Sequence, residues 1–135
     1  MNQALQQLHS RIATILIAAI FDGDDIDDLL DLREHEPFDS SWVAADKALD
    51  EYRSRVSLDA ESLSLIDQIR EHAYKRVYTL IQNPDAAAFV SDDFGMIATA
   101  VALDFRHDFI ESLWAEYQAG GFPRGRLIPK PGQIH

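Results

Sequence analysis

The sequence contains no cysteine, so disulfides, thiolate metal ligands and a cysteine nucleophile are excluded. Proline and glycine are scarce, five and six in 135 residues. No stretch of five or more residues alternates apolar with polar, so almost no sheet is expected. No Gly-rich phosphate loop and no Gly-x-Ser-x-Gly elbow occurs, which removes two common signatures of nucleotide binding and of serine nucleophiles. Positive charge is also short: twelve Lys and Arg stand against 23 Asp and Glu, a formal net charge of −11.

The acidic excess is concentrated in one block. Between residues 22 and 61 lie fourteen carboxylates, opposed only by Arg33, Lys47, Arg53 and Arg55. A field of one sign repels nucleic acid and anionic membrane and attracts basic protein surfaces. The expected partner is therefore a basic protein, with no nucleic acid and no membrane, and the chain itself a monomer or homodimer.

The length fits one domain that buries about two-thirds of its unfolded surface. The apolar run over 12–21 (IATILIAAIF) has no basic residue before it in 1–7. It is also shorter than the roughly 20 residues a bilayer requires. It reads as a core helix, and with the missing cysteines it suits a cytoplasmic protein.

Apolar residues recur at three- and four-residue steps along most of the chain. This predicts an all-α fold, a single compact bundle of five to six helices over 1–121 with an extended, Pro-containing basic tail over 122–135. The first helix is expected over 2–21, stopped at Gly23. A short second helix over 24–33 places Asp24, Asp27, Asp28 and Asp31 on one face and Ile26, Leu29, Leu30 and Arg33 on another. A third starts near Ser40, with Asp39 or Ser40 as cap. The fourth, over 60–82, is the longest and the expected centre, with Asp59 as cap and Leu58 stapled to Leu63. Residues 84–90 are expected to form a further turn, and Ser91 to cap a fifth helix with Asp92 and Asp93 in its first turn. A last helix covers 108–118.

Metal and catalytic readings find little support. An EF-hand loop beginning at Asp22 requires an oxygen ligand at its fifth position, glycine at its sixth and glutamate at its twelfth. Those positions hold Ile26, Asp27 and Arg33. Asp104, His107 and Glu111 have the spacing of a di-iron half-site, but no second pair accompanies them. No catalytic residue, metal ligand or cofactor is assigned, and the chain is expected not to be an enzyme. Trp42 and Trp114 lie on apolar stripes and read as core.

One resemblance adds to this. Ser91-Asp92-Asp93-Phe94-Gly95 and the closing Tyr117, Gly120 or Gly121, Phe122-Pro123 resemble the C-terminal part of small bacterial immunity-type proteins encoded beside polymorphic or contact-dependent toxins. The resemblance implies an all-helical cytoplasmic inhibitor that binds one cognate toxin domain. It carries over no catalytic residues. The expected docking residues are Asp24, Asp25, Asp27, Asp28 and Asp31 with Glu34 and Glu36 as rim, and as a second surface Asp92, Asp93 and Phe122. The alternatives are another acidic interaction module, such as an adaptor or nucleic-acid mimic, and an enzyme with a carboxylate or metal site.

Overall fold

The computed structural model describes residues 3–21, 25–125 and 127. Among them are six α-helices, one short 3₁₀ turn and no strand, which is the all-α fold that the periodicity predicts. Helix α1 (Gln3–Ile15) buries Leu5, Leu8, Ile12 and Ile15. It stops earlier than the expected 2–21 and gives way to the 3₁₀ turn Ala18–Phe21. The reason lies in the fourth helix. Arg76 donates to the carbonyls of Leu16 at 2.8 Å and Ala13 at 3.1 Å, taking up acceptors that a helix end leaves open. Gly23, the expected stop, lies outside the described residues.

Helix α2 (Ile26–Arg33) opens on Asp25, whose carboxylate accepts from the Asp27 amide at 2.8 Å. Helix α3 (Phe38–Arg53) begins before Ser40 and has no side-chain cap. Instead the Glu36 carboxylate accepts from the Ser40 amide at 3.1 Å and from its hydroxyl. Helix α4 (Ala60–Ile81) is capped as expected: Asp59 accepts from the Ser62 amide at 2.6 Å. Leu58 packs partly against the core, and Leu63, its expected staple partner, is 40% exposed.

The largest departure is α5 (Pro84–Leu103), one continuous helix where a turn and a separate capped helix were expected. Asn83 accepts from the Ala86 amide at 3.0 Å and Pro84 occupies the first turn, where its missing N–H costs nothing. Three alanines follow and propagate the helix. Ser91 is therefore mid-helix and caps nothing; its hydroxyl donates to the Arg70 carbonyl at 3.0 Å. After a break at 104–107, where Asp104 turns to φ 52°, α6 (Asp108–Gln118) runs over the expected span.

Helix α5, and not α4, is the centre of the bundle: it packs on α1, α2, α3, α4 and α6. Ala86, Ala87, Gly95, Ala98 and Ala100 are buried along it, and such small residues allow neighbours to approach from every side. A Cβ at Gly95 would come within 2.8 Å of Arg70 Cδ. By length and composition α5 is apolar enough to cross a membrane, with a window of mean hydropathy 1.5, yet 72% of that window is buried in the fold.

Candidate docking face and the buried clasp behind it

Helix α2 has two unlike sides. Leu29, Leu30 and Arg33 are buried, whereas Asp25, Asp27, Asp28 and Asp31 are exposed, as are Glu34 and Glu36 just beyond the helix. The structure thus gathers six of the expected docking carboxylates along one element and its exit; Asp24 lies outside the described residues. Asp27 and Asp28 sit in the first turn, where the helix dipole favours them. Asp31 lies near the opposite end, where it does not.

The second expected surface is mostly interior. Asp92 is exposed and pairs with Arg70 at 2.9 Å, a contact worth about 0–1 kcal/mol. Asp93 and Phe122 are 0% and 1% exposed. They offer no outer face to a partner, which corrects the expectation for both. Asp93 lies on the inner side of α5, beside buried Val90, Phe94 and Ile97. Phe122 packs on Phe21, with ring centroids 5.3 Å apart.

Asp93 is the hub of a buried clasp. Its two oxygens accept four hydrogen bonds: from Arg33 Nη1 at 2.8 Å and Nη2 at 2.7 Å, from Trp42 Nε1 at 2.9 Å, and from the Tyr117 hydroxyl at 2.5 Å. Four bonds fill the acceptor capacity of an ionised carboxylate. Arg33, 4% exposed, also donates to the Pro123 carbonyl at 3.3 Å. Its guanidinium carbon lies 4.4 Å from the ring centroid of Phe38, 5.0 Å from that of Phe89 and 5.1 Å from that of Phe122. The clasp therefore joins α2, α3, α5, α6 and the segment after α6.

The electrostatics suit holding more than reacting. Burial opposes the Arg33 charge, but the charge and hydrogen bonds of Asp93, with help from Tyr117, outweigh it and leave the guanidinium pKa above its ordinary value. Burial and then the Asp93 charge push the Tyr117 hydroxyl well above its ordinary range, so it remains a donor. The hydroxyl of this network is therefore held protonated, as a hydrogen-bond donor to Asp93. Among the described residues, no three His, Asp or Glu converge in a way that could hold a metal ion.

Nearer the surface, burial and the charge of Asp50 raise the pKa of Asp46. Partial burial also raises that of Asp92, reinforced by Asp93 and Asp46 against Arg70 and Arg33. The charge of Asp46 on α3 thus reaches Asp92 on α5.

Two local signals pointed to the clasp without identifying it. Arg33 shares a helix face with Leu29 and Leu30, and Asp93 shares one with Val90 and Ile97. A lone charge on an apolar stripe is a pairing signal, since buried charges require partners. Once these residues are placed, the Ser91–Gly95 segment and the segment closing on Phe122-Pro123 acquire physical roles. Ser91 and Asp92 grip Arg70, Asp93 grips Arg33, and Phe94 packs its ring 5.0 Å from Tyr117. Gly120 takes φ 90°, and Phe122 and Pro123 close on Arg33.

Comparison with curated proteins gives no significant match. The family model described as immunity protein PIM1 matches residues 6–124, a span that takes in most of α1, the whole of α2 to α6 and every member of the clasp. The chain belongs to this immunity-protein family.

Proposed function

We propose that the chain neutralises a cognate toxin domain by binding it, with the exposed carboxylates from Asp25 to Glu36 as the docking face and no catalytic step of its own. The observation that carries this is the arrangement of α2: its apolar side is spent on the core, and its other side presents Asp25, Asp27, Asp28 and Asp31 together. Such a face steers association with a basic partner and makes it sensitive to salt. The proposed site of action is the cytoplasm. Carboxylates presented together on one face fit occlusion of a basic site as the mode of inhibition.

The test begins with the gene adjacent to this one, whose product is expected to be toxic alone and harmless when this chain is co-expressed. Asp27, Asp28 and Asp31 changed together to Asn should leave the helical circular dichroism unchanged. Association with the neighbouring product should slow about tenfold or more at low salt, the range over which steering acts. Unchanged association would reduce the face to a solvated surface. Rescue of binding targets by a DNA-handling enzyme alone would favour the nucleic-acid-mimic reading instead. Thermal stabilisation by millimolar divalent cations would favour a metal site.

A further inference from the structure

Helix α2 is poorly equipped to hold its own position. Its eight residues fall below the roughly 12–15 at which an isolated helix becomes even marginal in water. Only Leu29, Leu30 and Arg33 are buried from it. Its exposed carboxylates repel one another. Yet one of its three buried side chains is charged, and it engages Asp93, whose oxygens also accept from Trp42 and Tyr117. A leucine at position 33 would also bury. Replacing a buried ion pair by apolar residues of similar volume is often neutral or better for stability, so stability alone gives no reason for the pair. What an arginine–carboxylate pair adds is direction. Two parallel bonds, at 2.7 and 2.8 Å, fix the guanidinium plane. Three rings and the Pro123 carbonyl surround it.

We infer that the Asp93 clasp positions the docking helix: Asp93, Trp42 and Tyr117 act on toxin binding from behind, through Arg33, by holding α2 in the orientation that binds. This rests on the reading that the α2 carboxylates dock the toxin. Asp93, Trp42, Tyr117 and Arg33 are positioning residues and touch no partner. They lower the ordering cost that a loosely held helix would add to every binding event. The surface carboxylates set how fast the partner arrives; the clasp sets how long it stays.

The experiment uses the full chain and, as probe, the purified product of the neighbouring toxin gene. Tyr117→Phe and Trp42→Phe each remove one hydrogen bond to Asp93 and keep the Arg33 pair. Binding kinetics are measured against salt, together with amide hydrogen exchange on the unbound chain. For both variants the association rate and its salt dependence should match the unaltered chain. The dissociation rate should rise about tenfold, the effect of one lost bond to a charged group, and exchange should quicken in α2 selectively. Faster exchange spread evenly over all helices, or an unchanged dissociation rate with a loosened α2, overturns the inference. If the Asp27, Asp28 and Asp31 variant slows association while both clasp variants bind normally, the docking face stands and the clasp inference fails. If the unaltered chain does not bind the probe, the docking reading fails and takes this inference with it.

Discussion

Removing the Asp93 carboxylate would leave the Arg33 guanidinium enclosed by Phe38, Phe89 and Phe122 with no counter-charge. Asp93→Ala should therefore cost about 3–5 kcal/mol, the penalty for breaking one side of a buried pair, read from urea unfolding. Replacing both partners, Arg33→Met with Asp93→Leu, should cost clearly less than Asp93→Ala alone. His72 gives a second prediction at this scale. Its ring meets that of His9 edge to face at 5.1 Å, and its Nδ1 is buried without a hydrogen bond. Burial, then the charges of His9 and Arg76, lower its pKa from 6.5. The unfolded chain thus takes up the proton first as pH falls. Stability that is complete above the unfolded value declines as pH drops through the lower folded one. His72→Gln should flatten the melting temperature against pH in the window from 6.5 down to that lower value. The apolar stripes that hold Arg33 and Asp93 signal a buried charge in each, but not which partner each takes. The two are 60 residues apart, and periodicity reports only which side of a helix a residue occupies. Asp93 followed Ser91 and Asp92 and so read as part of a helix start.

At the scale of elements, α5 decides between two readings of the same residues. Were Ser91 a cap, proline at position 92 would occupy the first helical turn and be tolerated. Within a continuous helix, Asp92→Pro should destabilise by about 3 kcal/mol or more, measurable as a fall in the chemical-denaturation midpoint. The true start is Asn83, and Asn83→Ala should cost about 1 kcal/mol. The helices whose ends rest on local chemistry were legible: Asp59 before α4, and the break before α6. The end of α1 was not, because Arg76 of α4 receives its last carbonyls. The start of α3 was not, because a carboxylate before Pro37 took the role assigned to Asp39 or Ser40. The centre was misplaced for a related reason. Length pointed to α4, but α5 carries the alanines and Gly95 that let five neighbours close around it. Of the candidate site, the α2 carboxylates were legible because amphipathicity alone exposes them; Phe122 was not, because it packs on Phe21 and Arg33, which lie far from it in sequence.

For the whole molecule, the −11 net charge makes folding and binding respond to salt with opposite signs. Self-repulsion opposes the compact state, so raising ionic strength should raise the melting temperature of the isolated chain. The same screening weakens attraction to a basic partner, so its affinity should fall over the same range. A calorimetric scan and a binding titration across one salt series would show both trends. Finally, the bond from Arg33 to the Pro123 carbonyl spans 90 residues. A ribosome releases the chain from its N-terminus, at about 5–20 residues per second. The acidic helix emerges early, but its last anchor emerges only after α6. During synthesis the helix is exposed without its full seat, and the chain acquires its finished shape only once residue 123 has cleared the exit tunnel. A chain cut short before Phe122 would keep the acidic helix with Asp93, Trp42 and Tyr117, but would lack the Phe122 ring and the Pro123 carbonyl that close on Arg33, and so would carry the helix on an unfinished clasp.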